Sequence, residues 1–301
     1  IYVGSWVWKN FRGAGPAFKK PPEDIAKLIP PSGQEPVNTT GLPLSLPRNF
    51  QISIFAKDLP GARVMVMDEA MICVSQTSQG KITCLDLKDG KTIFSMKDLN
   101  KPHGLAISQS GAEDLYYAEE DKISTIRLYS EPTPVKIADL PKGGRHFTRT
   151  LGFRPEGRLY VSIGSSCDVC MEKDKRRAAI YSMNKDGSDF KPVATGLRNS
   201  VFFTWNQVHG TMWATEMGRD FLGDDLPPDE INIIEEGRNY GWPFFYGKNV
   251  KDKDHGLPEP PVGWSVAPSY IDLPAHSAPL GLAFVPEAQA WPKDYWDDLL
   301  V

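Results

Sequence analysis

Apolar runs of about five residues recur along the chain, each preceded by a shorter apolar run and separated from it by turn residues. The longer runs are MICVS from Met71, LYYAE from Leu115, LYVSI from Leu159 and MWATE from Met212. Met71, Leu115 and Leu159 stand 44 residues apart in succession, Met212 follows 53 residues later, and Leu299 is where a fifth copy would begin. The shorter runs just upstream are VMVM, LAIS, LGF, FFTW and LAF (Leu282 to Phe284). Between LGF and LYVSI lies Arg154-Pro155-Glu156-Gly157. Proline there presets φ and glycine accepts φ > 0, which makes the stretch a turn and each unit a hairpin. Strand-and-turn units repeating every roughly 40 to 50 residues are the signature of propeller blades. The pattern therefore predicts an all-β fold, a β-propeller, and two equal spacings argue against an irregular β-sandwich.

Composition agrees with this. The 301 residues include 26 glycines and 26 prolines, as a turn-rich β protein needs, and 41% are hydrophobic, enough for a sizeable core. A net charge of −4 leaves no basic surface for nucleic acid. No stretch is long and apolar enough to cross a membrane. Two readings are open for Ile1 to Trp8, IYVGSWVW: the end of an export signal or membrane anchor, or a loose aromatic terminus packed on the domain. Residues 1–49, rich in Pro and Gly with a short helical stretch at Pro22 to Leu28, read as an extended arm. Residues 50–301 read as the propeller, with a last blade continuing past Val301.

The loops before the inner strands share one phase of the repeat, and they carry Arg63, His103, His146 with Arg149, Arg198-Asn199 and His276-Ser277. In a propeller such loops meet at one mouth of the central channel, where cationic and polar groups would suit an anionic ligand with many acceptors. The fourth unit carries a long insertion with five carboxylates between Asp220 and Glu230, broken by Gly and Pro. Oxygen-rich irregular loops suit a hard cation such as Ca²⁺, although the spacing is not that of an EF-hand. Cys167 and Cys170 form C-x-x-C without a second pair or an H-x-x-x-H, so a short structural disulfide is the expectation. That favours an oxidising compartment. Cys73 and Cys84 lie on strands that would face each other, and their bonding turns on a register that sequence does not fix.

Four segments together resemble the glucose/sorbosone dehydrogenase family, nearest its sorbosone-dehydrogenase-like branch. They are GGRHFTRTLGFRPEGRLYVSIGSSCDVC (Gly143 to Cys170), GLRN (Gly196 to Asn199), GRDFLGDDLPPDEIN (Gly218 to Asn232) and GRNYGWP (Gly237 to Pro243). The similarity runs from about Pro47 to Val301. It implies a six-bladed propeller and a quinoprotein that oxidises a sugar, or a related alcohol or aldehyde, with pyrroloquinoline quinone (PQQ) and Ca²⁺. On the same resemblance His146 is the general base, Arg198 and Asn199 contact PQQ, and His276 lies on the cofactor side. His103 and Arg149, from the same loop phase, join that cofactor-binding set. The Gly218 and Arg219 carbonyls hold the Ca²⁺ that polarises the quinone, and Asp229, Glu230 and the Tyr240 carbonyl hold a second one. Met217 departs from the family pattern, standing where an amide side chain is common. The basic residues that grip PQQ from the last blades would lie beyond Val301.

The chemistry is consistent without the family name. Imidazole is the side chain whose ordinary pKa lies nearest neutrality, and cationic donors stabilise a developing carbonyl as hydride leaves. No G-x-G-x-x-G follows a strand, so a Rossmann-bound nicotinamide is not indicated. The expected partners are a small sugar and an external acceptor, a quinone or a cytochrome, in a periplasmic or extracellular setting with membrane anchoring through an N-terminal segment as one option. Two other classes fit a propeller: a calcium-dependent lactonase or hydrolase, and a binding module without catalysis.

Overall fold

The structure, a computed structural model, describes residues 34–108, 113–253, 256–288 and 291–301. The expected terminal segment Ile1 to Trp8 and the helical stretch at Pro22 to Leu28 lie outside the described residues. Among the described residues no helix is long and apolar enough to cross a membrane.

Strands β1 (Val37–Asn38) and β2 (Gln51–Ile52) form a parallel pair ahead of the blades. The first blade is β3 (Ala62–Met67), β4 (Met71–Gln76), β5 (Lys81–Asp86) and β6 (Thr92–Met96). The second is β7 (Leu105–Ile107), β8 (Asp114–Ala118), β9 (Lys122–Arg127) and β10 (Val135–Asp139). The third is β11 (Leu151–Phe153), β12 (Leu159–Ile163), β13 (Ala179–Met183) and β14 (Lys191–Thr195). The fourth is β15 (Phe203–Trp205), β16 (Met212–Glu216) and β17 (Asp229–Ile234), closed by β20 (Ile271–Leu273) after a small inserted hairpin, β18 (Phe245–Tyr246) and β19 (Val250–Lys251). A last pair, β21 (Ala283–Phe284) and β22 (Leu299–Leu300), stands where a fifth blade opens.

All strands within a blade are antiparallel, and Met71, Leu115, Leu159 and Met212 each open, or nearly open, the second strand of a blade. The repeat spacing thus maps onto blades one to one. The blade count does not reach six: the described residues build four full sheets and the first hairpin of another. The fifth unit is represented by two strands, β21 and β22.

Among the described residues the buried apolar side chains do not form one common core. Apolar side chains instead fill the seams between neighbouring sheets, because each second and third strand is buried on both faces. Leu159, Val161 and Ile163 of β12 pack against Ala106, Tyr116 and Ala118 of blade two. Tyr160, between them in sequence and so on the opposite face, packs with Phe203, Trp205 and Met212 of blade four. Blade one joins blade two through Met71, Cys73, Ile82 and Cys84 against Leu105, Leu115 and Tyr117. Gly152 on β11 is required by this packing, since a Cβ there would lie 2.8 Å from the Phe203 ring and 2.9 Å from that of Trp205. The inner strands β3, β7, β11 and β15 face the channel, whose wall includes Val66, Ile107, Phe153 and Trp205.

Register settles the first cysteine pair. Cys73 and Cys84 are directly opposed on β4 and β5, both fully buried, and form a disulfide. Phe50 lies edge-on against Trp291 and Tyr295, at 5.6 Å from each, which ties the segment before blade one to the last hairpin.

Candidate active site

Strand β12 ends at Ile163, and the chain then runs through Gly164 and Ser165 into the loop before β13. Gly164 is a point of close approach: a Cβ there would sit 2.6 Å from His146 Cβ and 2.7 Å from Asn199 Oδ1. The loop before β11 and the loop before β15 can therefore meet over this glycine. Two backbone bonds fix the meeting, Ser165 N–H to the Arg198 carbonyl at 2.7 Å and Arg145 N–H to the Ser166 carbonyl at 2.8 Å.

His146 is half-buried. Its Nδ1 lies 3.1 Å from the Ser165 carbonyl and 2.9 Å from Ser165 Oγ. A carbonyl only accepts, so the contact assigns the proton to Nδ1 and leaves Nε2 as the acceptor. Nε2 has no hydrogen-bond partner among the described residues. Burial, then the charges of Arg198 and Arg145, hold the imidazole down at about 3, so the ring is neutral at ordinary pH.

Arg198 is buried and engaged by one residue above all. Its Nη2 donates to Asp168 Oδ1 at 2.5 Å, its Nε to the Asp168 carbonyl at 3.0 Å, and its Nη1 to the Met217 carbonyl at 3.2 Å. A guanidinium has five N–H donors, so these three bonds leave two for a ligand. Asn199 Nδ2 faces Met217 Sδ at 3.5 Å. A thioether is a weak acceptor, which leaves that amide able to serve a better one. The residues that would meet an anionic, carbonyl-rich cofactor thus retain donors for it.

Behind them lies a carboxylate cluster. Glu216 ends β16 directly opposite Glu230 of β17. Glu216 accepts from the Asn199 N–H at 2.7 Å and the Ser200 hydroxyl at 2.6 Å, and burial pushes it up to about 8. Glu230 accepts from Gly247 N–H at 2.6 Å and Asn232 Nδ2 at 2.9 Å, and burial pushes it up to about 7. A small cavity beside them is lined by Glu216, Gly218, Arg219, Glu230, Tyr240 and Trp242. Among the described residues the Gly218, Arg219 and Tyr240 carbonyls accept no hydrogen bond. Oxygen groups of this kind suit a hard cation, and each oxygen of Glu216 and Glu230 also accepts a hydrogen bond from the protein, as each oxygen of Asp229 does.

Several expected residues are placed elsewhere. Both Asp229 oxygens are taken by backbone, Oδ1 by Gly218 N–H and Oδ2 by Ala278 N–H, each at 2.7 Å. Asp229 does not line the cavity, and Glu216, which the sequence reading passed over, does. Arg219 offers only its carbonyl, because its guanidinium forms a buried bidentate pair with Asp252 at 2.5 and 3.0 Å. Arg149, expected on the cofactor side, is fully buried and donates to the carbonyls of Pro141, His146 and Thr148. It clamps the loop that carries His146. His103 is fully buried against Phe202, with no well-formed hydrogen bond to either ring nitrogen among the described residues, and burial holds it at about 3. His276 Nε2 is hydrogen-bonded to the Gly223 carbonyl at 2.8 Å, on the acidic insertion. Cys167 and Cys170 form a disulfide in the loop after Ser165. Asp168, between the two cysteines, was not singled out by sequence; the bracketing C-x-x-C was its one signal.

The glucose/sorbosone dehydrogenase family model matches residues 130–293, which include both loops that meet over Gly164 and the whole insertion. An uncharacterized protein of Borreliella burgdorferi is 30% identical over 280 residues, covering 86% of this chain and 71% of that protein. An aldose sugar dehydrogenase of Escherichia coli is 27% identical over 116 residues, 34% of this chain and 30% of that protein. Among solved structures, a Trichoderma reesei carbohydrate-active enzyme of family AA12 superposes with a TM-score of 0.63 at 20% identity, over 77% of this chain and 72% of its own. The PQQ-bound aldose sugar dehydrogenase from Streptomyces coelicolor gives 0.53 at 22% identity, over 67% and 69%. At these identities the structural likeness establishes the propeller fold.

Proposed function

The chain belongs to the glucose/sorbosone dehydrogenase family, and from that premise we propose that it is a PQQ-dependent dehydrogenase of a sugar, or of a related alcohol or aldehyde, with His146 as its general base. The observation that carries the reading is the state of His146: neutral, with Nδ1 tied to Ser165 and Nε2 without a partner among the described residues, beside Arg198 and Asn199. A neutral imidazole with one committed and one free nitrogen can take a hydroxyl proton at Nε2. Bound PQQ supplies the two-electron acceptor for the hydride.

The protein's own residues do the rest. Arg198 and the Asn199 amide hold and orient the anionic cofactor through their remaining donors. Such a ligand also offsets the charges of Arg198 and Arg145, which moves His146 back toward its ordinary value and makes it a better base. The Gly218 and Arg219 carbonyls would hold one Ca²⁺, and Glu230, the Tyr240 carbonyl and Glu216 another. A six-bladed ring, an external quinone or cytochrome as final acceptor, and a periplasmic or extracellular setting complete the proposal. The two disulfides support the last of these.

The test is dye reduction by the full-length protein loaded with PQQ and Ca²⁺ across a panel of aldoses and related alcohols. His146→Ala is expected to lower turnover by roughly 10²–10⁴ while PQQ affinity changes little. Near-normal turnover of that variant would remove His146 from the reaction.

A further inference from the structure

Asp168 binds four residues from four separate segments. Its Oδ1 accepts from Arg198 Nη2 at 2.5 Å and from the Asp220 N–H at 3.1 Å, and lies 3.6 Å from Arg145 Nη1. Its carbonyl accepts from Arg198 Nε at 3.0 Å and from Trp242 Nε1 at 3.2 Å. Arg145 precedes β11, Arg198 precedes β15, Asp220 lies between β16 and β17, and Trp242 lies between β17 and β18. The loop that presents Asp168 is itself closed twice. The Cys167–Cys170 disulfide brackets the residue, and Glu172 accepts from Ser166 N–H at 2.5 Å and Ser166 Oγ at 2.8 Å. Ser165 Oγ donates to the Cys167 carbonyl at 2.6 Å while facing His146 Nδ1. A carboxylate on an unconstrained surface loop would contribute little to such contacts. Here both ends of the bond to Arg198 are held, and the arginine is buried.

We propose that Asp168, presented by the disulfide-closed loop 165–172, is the positioning residue of Arg198. It aims the guanidinium so that the two uncommitted N–H donors face the channel mouth beside His146. The disulfide brackets Asp168, and the Ser165 Oγ bond to the Cys167 carbonyl joins the bracket to Ser165, so one loop contacts both the arginine and the imidazole. The link to turnover rests on the dehydrogenase reading above; the link to Arg198 does not.

The direct test is arginine labelling of the full-length, cofactor-free protein with phenylglyoxal, mapped by mass spectrometry. In the wild type Arg198 should react slowly, as should the fully buried Arg149. Asp168→Ala should speed the labelling of Arg198 by about tenfold or more, the scale of one lost charge-assisted hydrogen bond, and leave Arg149 unchanged. Asp168→Asn, which keeps the shape but loses the charge, should fall between, and it decides the matter if the alanine variant does not fold. Cys167→Ser combined with Cys170→Ser should also speed Arg198. Unchanged Arg198 labelling in the Asp168 variants would overturn the proposal, as would a parallel rise at Arg149, which signals general loosening.

A second readout separates positioning from binding. With PQQ, Ca²⁺ and a sugar the parent oxidises, Asp168→Asn should lower kcat by about tenfold without weakening PQQ. An anionic ligand gains from the loss of a negative charge beside two arginines. A loss of PQQ affinity matching the loss of kcat would count against it. If the wild type reduces no dye under any condition, the dehydrogenase reading fails and the labelling result still decides the role of Asp168.

Discussion

Gly164 lets the His146 and Asn199 side chains stand side by side, because a methyl group at that position would lie 2.6 Å from His146 Cβ and 2.7 Å from Asn199 Oδ1. The His146 N–H is held by the Ser165 carbonyl and the Asn199 N–H by the Glu216 side chain, so neither can step back without loosening the site. Gly164→Ala is therefore expected to cut turnover of the loaded enzyme by about 10- to 100-fold, as misplaced catalytic groups do. The backbone there needs no left-handed conformation, so secondary structure should be retained. Circular dichroism alongside steady-state kinetics checks this, and unchanged turnover would show that the loops absorb the methyl group. The same scale explains why the His146 pKa falls so far below its ordinary value. Two arginines and burial act together on it, and only the Ser165 carbonyl and Asp168 pull the other way.

At the scale of the element, β12 shows how the blades cohere. All five of its residues are buried, with odd and even positions serving different seams. Leu159→Ala removes a fully buried side chain from the seam with blade two and should cost about 2–5 kcal/mol. Met65 lies on β3 with its side chain exposed, and Met65→Ala should cost within about 0.5 kcal/mol. Denaturant midpoints at unchanged slope measure both, and equal costs would mean that the seams are not the main source of stability. The pairing of β16 with β17 does a second job. It sets Glu216 opposite Glu230 and so builds the carboxylate pair beside the cavity.

For the whole molecule, four groups, three buried and one half-buried, give stability a pH dependence with two signs. Glu216 and Glu230 sit at about 8 and about 7 in the fold, above the ordinary carboxylate value of about 4.3. The native state therefore holds protons that the unfolded chain has released, and stability falls as pH rises from about 5 to 8. His103 and His146, both near 3 against an ordinary value of about 6.5, act the other way. Their contribution is complete above about pH 6.5 and declines as pH falls below it. Between pH 6.5 and 8 only the carboxylate slope remains. In excess chelator the melting temperature should fall across that window. With millimolar Ca²⁺ the fall should shrink and the value at pH 8 should rise, because a cation favours the ionised pair. Melting curves that are the same with chelator and with calcium would argue against a cation at Glu216 and Glu230.

The repeat was legible in the chain because a strand buried on both faces must be apolar at nearly every position, and turns must fall at matching intervals. LYVSI and its counterparts carry that pattern whatever the neighbouring blades are, so sequence alone determined the propeller class and the second strand of each blade. It also placed His146, Arg198 and Asn199 at one phase, since loops of equal phase share one mouth. Which of those loop residues face the ligand was decided by the tertiary structure. Arg149 and His146 are three residues apart, yet one is walled in by three carbonyls and the other keeps a bare nitrogen. Asp168 and Glu216 matter through partners 30 and 17 positions away, Arg198 and Asn199, and the cysteines of blade one bond because β4 and β5 happen to oppose them. Strand register and loop packing fix such pairings, and neither leaves a mark on the order of hydrophobic and polar residues.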